Sequence, residues 1–287
     1  MFLKILRYSV DYGMFRFCIA DSEHDWREGT EQYKFIEHCL ASVDRQKQPW
    51  LIFAAHRVLG YSSDFYYGLE GSFEEPMGRE SLQKLWQRYK VDIAFYGHVH
   101  NYERSCPIYQ VCHIHVGQEN FMLFCFSGAL QYRARGASLW LSFLAFFVLY
   151  IQLISLQISW LRSFLYYGHL FICLLIFWVL SSVTVQSQCV SSEKSHYSGT
   201  FNATIHVVAG GGGSHLSNFS QVNTKWSLYR DYDFGFVKLT AFSHSSLLFE
   251  YKKSRDGNVY DSFSISRDYR DILACVHDSC EASTLAS

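Results

Sequence analysis

The sequence predicts an α/β protein, an α+β sandwich interrupted by an apolar insertion, and three observations predict it. Short apolar runs ending in polar residues alternate with helix-period segments from Met14 to Tyr96. Stretches rich in β-branched and aromatic residues follow from Thr204 to Ile265. Between the two, residues 111–186 carry only four charged groups, Glu119, Arg133, Arg135 and Arg162.

Each element has a local reason. Met14 to Ala20 is an apolar, aromatic run closed by Asp21 and reads as a buried strand. Thr30 is placed to cap a helix through Arg45, with Phe35, Ile36, Leu40 and Val43 on one face. Pro49 breaks the chain, and Trp50 to Ala55 is a second strand that ends at His56. After Gly78, Leu82, Leu85, Trp86 and Tyr89 recur at helical spacing. Val91 to Tyr96 is a third strand, running into Gly97-His98-Val99-His100. Strands this continuously apolar are expected in a sheet covered on both faces. Thr204–Val208, Phe236–Phe242, Ser246–Tyr251 and Val259–Ile265 read as strands of a sheet edge or a second layer. Gly210-Gly211-Gly212-Gly213 lets backbone approach another segment closely. The polar residues from Asp268 to Ser287 read as a poorly ordered tail.

Composition narrows the function class. A net charge of −1, from 25 Lys+Arg against 26 Asp+Glu, argues against a general nucleic-acid binder. With 49% hydrophobic residues the chain can bury a sizeable core, which argues against disorder. Its 18% charged residues fall short of the ~25% typical of soluble domains. The shortfall comes from the insertion, because the other 211 residues hold 47 of the 51 charged groups.

In open α/β sheets, ligands bind beyond the carboxyl ends of the strands. His56 stands at one such end, and His98 and His100 stand just past another. Two histidines spaced i,i+2 on extended backbone point the same way, and imidazole suits Zn, Fe and Mn. Gly97 is expected to allow a tight turn beside them. His56 alone reads better as a hydrogen-bonded structural histidine, whereas a GHxH pair after a buried strand is the more specific signal.

Ala54-Ala55-His56-Arg57 and Gly97-His98-Val99-His100-Asn101-Tyr102-Glu103-Arg104 resemble the last two metal motifs of purple acid phosphatases, which are binuclear metallophosphoesterases. The likeness runs from about Tyr8 to Asp268. The wording around Asp21–Gly29 and Gly71–Glu80 is similar to the plant branch described as nucleotide pyrophosphatase/phosphodiesterase-like. The resemblance implies the C-terminal part of a calcineurin-like metallophosphoesterase fold. It also implies a metal-bridging hydroxide that attacks a phosphoester or nucleotide phosphorus. The cofactors so implied are Fe and a divalent ion, Zn or Mn, with His56 and His98 on the divalent ion and His100 on the ferric one. The family motifs GDxG, GDxxY and GNH, which supply the remaining ligands, do not occur in this sequence. Three imidazoles without a bridging carboxylate cannot hold two closely spaced hard cations. The expectation is therefore a C-terminal fragment, inactive as a phosphatase by itself. Asp21, Asp25, Glu74 and Glu75 are conceivable replacement carboxylates but read better as caps and solvated loop charges. No His lies between Arg57 and Gly97, where the family carries substrate-contacting histidines; Tyr66 and Tyr67 occupy that loop.

The expected organisation is 1–110, part of the metallophosphoesterase domain; 111–186, the apolar insertion; 187–270, the C-terminal region; and 271–287, a tail. Within the insertion, uncharged runs at 137–161 and 163–185 each exceed the ~20 residues that span a bilayer, yet only Arg162 separates them. A retained intron accounts for the block better. Val111-Cys112 fits a GTN-TGY splice donor, Gln186 fits a CAG acceptor, and the block contains no Lys, Asp or Pro. Its removal joins Gln110 to Ser187 and brings Cys106 close to Cys189 in sequence. Asn202 and Asn218 head N-glycosylation sequons, meaningful if the chain enters the secretory route. By resemblance the location is secreted or vacuolar. The competing readings are a non-catalytic metal-binding remnant and a protein anchored in a membrane through 137–185.

Overall fold

A computed structural model of the chain describes residues 7–64, 79–116, 119–123, 183–219 and 224–274. The chain divides into two compact units, Met1–Tyr109 together with Ser187–Ser287, and Gln110–Gln186.

The first unit is built on a mixed sheet. Its strands are β1 (Tyr8–Tyr12), β2 (Phe15–Ala20), β3 (Trp50–Ala55), β4 (Ile93–Tyr96), β5 (Tyr102–Val116), β9 (Thr204–Ala209) and β10 (Ser227–Asp231), in the order β1-β2-β3-β4-β9-β5-β10. β2, β3, β4 and β9 run parallel, so their carboxyl ends lie along one edge. β1 folds back antiparallel on β2 and leaves Tyr8, Val10 and Tyr12 exposed on the outermost strand. β7 (Val183–Cys189) pairs with β5. In the second unit, the distal part of β5 pairs antiparallel with β6 (Glu119–Leu123).

Both faces of the parallel strands are covered, as their apolar runs predict, but the two covers differ. On one face, α1 (Glu31–Ala41) and α2 (Arg79–Arg88) enclose Cys18, Ile36, Leu40, Phe53, Leu82 and Trp86. On the other lies a four-stranded sheet of β11 (Gly235–Ser243), β12 (Ser246–Lys253), β13 (Val259–Ser266) and β8 (His196–Ser198). It packs Phe249 and Phe263 against Trp50, Ile52, Ile93 and Tyr102. Of the later strands, β11–β13 form the expected second layer, whereas β9 lies inside the first sheet between β4 and β5 and not at its edge; the edge beyond β5 is β10, which the sequence did not mark.

Several boundaries shift for local reasons. Thr30 caps α1 as expected, its hydroxyl accepting from the Tyr33 N–H at 3.2 Å. The helix stops at Ala41 rather than Arg45. Beyond it the Asp44 carbonyl accepts from Lys47 and Gln48 in a separate turn, and Arg45 turns inward to donate to the Pro49 carbonyl at 2.8 Å. Part of the expected tail is ordered: Tyr269–Ala274 forms α3 and buries Ile272. The end of the second apolar run, 183–185, is strand in β7. No helix among the described residues is long and apolar enough to cross a membrane.

Among the described residues, two disulfides brace the first unit. Cys18–Cys39 ties β2 to α1, and Cys106–Cys189 has Cα atoms 5.6 Å apart although 83 positions separate them in sequence.

Candidate functional site

The parallel strands deliver their polar termini to one edge of the sheet. Asp21 to His24 follow β2, His56 and Arg57 follow β3, the 97–101 turn follows β4, and the glycine-rich loop from Gly210 follows β9. An open cleft of about 450 Å³ lies there, lined among others by Asp21, Glu23, His56 and Tyr96.

His56 and His98 come together. Gly97 and His98 both donate their backbone N–H to the His56 carbonyl, at 3.0 and 2.8 Å. This places His98 Nδ1 3.2 Å from His56 Nε2, with the rings edge to face. Two nitrogens ~2.05 Å from one tetrahedral ion stand about 3.3 Å apart, so the pair has the spacing of ligands that share a metal. Burial, and after it the neighbouring His56 and Arg57, hold His98 below the ordinary imidazole range. That keeps it in the neutral form that binds metals.

His100 is steered by a different segment. Val99 is buried while His98 is exposed and His100 is half-buried, but the segment is a bend and not the extended backbone expected, with the Asn101 N–H donating to the Val99 carbonyl at 2.8 Å. His100 Nδ1 lies 2.8 Å from the His215 carbonyl, so Nδ1 carries the proton and Nε2 keeps the lone pair. The His215 ring sits edge-on to His100 at 5.0 Å. Backbone bonds from Gly210 to Asn101 and from Ser217 to His100, 2.9 and 2.8 Å, lock the two loops together. Only glycine fits at 210, since an added Cβ would fall 2.0 Å from the Val99 oxygen and 2.5 Å from the Gly97 oxygen. The close approach expected of the glycine run is therefore real. At Gly97, just before the 98–101 bends, a Cβ would meet only His56 Nδ1, at 3.9 Å.

The carboxylates nearby are committed elsewhere. Asp21 accepts from the Glu23 N–H and lies 2.9 Å from His24 Nδ1; Asp25 is bound to Arg27. Glu74, Glu75, Tyr66 and Tyr67 lie outside the described residues. Glu23, which the sequence alone does not single out, grips Arg57 through two bonds of 2.7 and 2.8 Å. No group of three or more His, Cys, Asp or Glu side chains able to hold a metal occurs among the described residues. Among the described residues the donor set thus suits one shared ion at His56 and His98.

The second half of the GHVHNYER string is structural. Glu103 is buried and accepts from the Ser62 hydroxyl, the Ser63 N–H and the Ser227 hydroxyl at 2.9, 2.8 and 2.6 Å. Arg104 forks onto Asp261 at 2.6 and 2.9 Å, and Tyr102 donates to the same carboxylate at 2.7 Å. These contacts pin β5 to β10 and to the second sheet directly beneath the histidine turn.

Comparison with known proteins follows the same division. A calcineurin-like phosphoesterase model matches residues 4–102, and an iron/zinc purple acid phosphatase-like protein C model matches residues 203–262. The chain is 57% identical to "Probable inactive purple acid phosphatase 27" of Arabidopsis thaliana over 98% of its own length and 33% of that relative. It is 54% identical to a nucleotide pyrophosphatase/phosphodiesterase of Hordeum vulgare over 98% of its own length and 55% of that one. A purple acid phosphatase isolated from yellow lupin (Lupinus luteus) seeds superposes with a TM-score of 0.64 and 52% identity, over 99% of this chain and 36% of that structure. The chain spans about a third of the first of these relatives.

Proposed function

The chain belongs to the purple acid phosphatase family, and from that premise we propose that it carries the histidine half of a phosphoester-hydrolysing centre, binding one divalent ion without turning substrate over by itself. The observation that carries this reading is the 3.2 Å spacing of His56 and His98 in a setting where no third ligating side chain joins them among the described residues. Zn or Mn would sit on that pair, and His100 would offer Nε2 to an iron site whose other ligands this sequence does not contain. Metal ions bound in such a centre supply charge stabilisation and an activated water. The chain's own part is to aim three imidazoles and to hold Arg57 and Glu23 at the rim of the cleft. Nucleotide-type phosphoesters are the proposed substrate class of a completed centre, supported by the similarity to the barley relative.

Metal analysis and a turnover assay test this. The purified chain is expected to bind about one Zn, to lose it in His56→Ala, and to leave p-nitrophenyl phosphate unhydrolysed with Fe and Zn present. Turnover well above a His56→Ala, His98→Ala double variant would overturn the reading.

The insertion is proposed to lie outside this function. The division into compact units at Tyr109 and Ser187 supports that boundary, and so does the Cys106–Cys189 bridge, which closes the neck from which the block departs. A retained intron remains the proposed origin. Transcripts lacking the corresponding 228 nucleotides, three for each of 76 residues, are the expected majority, and their absence would refute it. Two disulfides in the first unit support a secretory or vacuolar location. There Asn202, half-buried, and Asn218, exposed, are proposed glycan acceptors.

A further inference from the structure

At the opposite end of the parallel strands from the histidines, just before β4 and β9 begin, the interior carries unbalanced charge. Arg45 and Arg267 have side chains 2% and 4% exposed, and the carboxylate between them, Asp92, is 5% exposed. Arg267 is bound to Asp92 and stacks over the Trp50 ring at 4.1 Å, while Arg45 stands 3.9 Å from the same carboxylate. Lys90, one turn of chain away, is also buried, and burial holds it below the usual lysine range. Two buried guanidinium groups thus share one carboxylate. Backbone carbonyls of Pro49, Tyr89 and Lys90 accept several guanidinium N–H groups. They satisfy hydrogen bonds but do not neutralise the charge, and uncompensated buried charge is costly.

Two donors in this place have no acceptor. Arg267 Nε and Thr200 Oγ1 are both buried without a hydrogen-bond partner. The residues that bear them line a small cavity of about 20 Å³, together with Lys90, Asp92, Phe201 and Ile205. That space takes one occupant the size of a water or a monatomic ion, since a single water needs roughly 10–15 Å³ on this measure. Sulfate and phosphate are too large. A water would serve both donors yet leave the positive excess untouched; a halide would do both.

We propose that the cavity between Lys90, Thr200 and Arg267 is a chloride-class anion site that balances the buried arginines at the amino end of the sheet. The occupant accepts from Arg267 Nε–H and Thr200 Oγ1–H. It is independent of the histidine site, so it stands or falls whether or not His56 and His98 bind metal.

The test uses the full chain. Crystals grown in sodium bromide are expected to show an anomalous peak within hydrogen-bonding distance of Thr200 Oγ1 and Arg267 Nε. In solution, replacing gluconate by chloride at constant ionic strength should raise the melting midpoint. Above saturation the rise is about 3–6 °C for each tenfold increase in chloride. Thr200→Val, which keeps the shape and removes the donor, should shift the chloride dependence to at least tenfold higher concentration, and Thr200→Ser should retain it. A water in the cavity with no bromide peak would overturn the proposal, as would equal midpoints in chloride and gluconate.

Discussion

Replacing Gly210 by Ala is expected to do what replacing Gly97 by Ala does not. The added methyl at 210 would fall 2.0 Å from the Val99 oxygen and 2.5 Å from the Gly97 oxygen, both backbone atoms of the histidine turn. To reach even a tight 3.0 Å, one loop must move by at least about an ångström, because neither obstacle is a side chain that can swing aside. Such a shift breaks the Gly210–Asn101 and Ser217–His100 backbone bonds, which are 2.9 and 2.8 Å long. At about 1 kcal/mol for each bond and 1–3 kcal/mol for overpacking, the loss is ~3–5 kcal/mol, or a fall of about 10 °C in the melting midpoint. At Gly97 the nearest atom to an added Cβ is His56 Nδ1, 3.9 Å away, and the expected change lies within about 0.5 kcal/mol. Thermal melts of the two variants, with zinc titrations followed by calorimetry, read both stability and the geometry of the histidine turn. Equal midpoints, or a Gly97→Ala loss larger than that of Gly210→Ala, would refute the account in which the glycine run exists to dock one loop on the other.

Asp261→Ala should leave the Arg104 guanidinium and the Tyr102 hydroxyl buried without their shared carboxylate. It should cost ~3–5 kcal/mol by urea unfolding, and a loss below about 1 kcal/mol would show the clamp to be idle. Acid should also weaken the fold. Hydrogen bonds from Arg57, Arg27 and Arg270 hold Glu23, Asp25 and Asp268 below their ordinary values of 4.5, 3.8 and 3.8, Asp268 down to about 2. Their folded values lie below their unfolded ones, so the stability they lend is full above about pH 5 and is lost as the pH falls toward 2. A melting midpoint that stays level from pH 5 to pH 2 would contradict this. Deleting residues 111–186 should leave a soluble unit in which Cys106 and Cys189 still pair, as read by mass spectrometry without reductant; a reduced or insoluble product would argue that the block belongs to the fold.

Much of the architecture was readable from local pattern. β2, β3, β4 and β9 announce themselves because strands buried on both faces must be apolar throughout, and α1 and α2 because their apolar residues recur on one side. β1, β8 and β10 carry no such mark. β1 is an exposed edge, β8 is three residues long, and β10 is half-buried throughout, so what holds each is its neighbour and not its composition. The apolar stretch at the end of the insertion reads as a membrane-length run, but its last residues belong to β7, a strand that pairs with β5, and pairing leaves no trace in hydropathy.

The sequence by itself determined the family and singled out the histidines proposed as ligands, because a metal motif requires fixed residue types at fixed spacing on one short stretch of chain. Tertiary structure decided how those residues divide their work. His98 reaches the side chain of His56 across 42 positions, and His100 meets a carbonyl 115 positions away. Arg104, four residues beyond His100 in the same motif, belongs to a buried clamp whose carboxylate lies 157 positions on. The histidine contacts form when β3, β4 and β9 pair within the first sheet, whereas the Arg104 counter-ion arrives only when the second sheet packs against it.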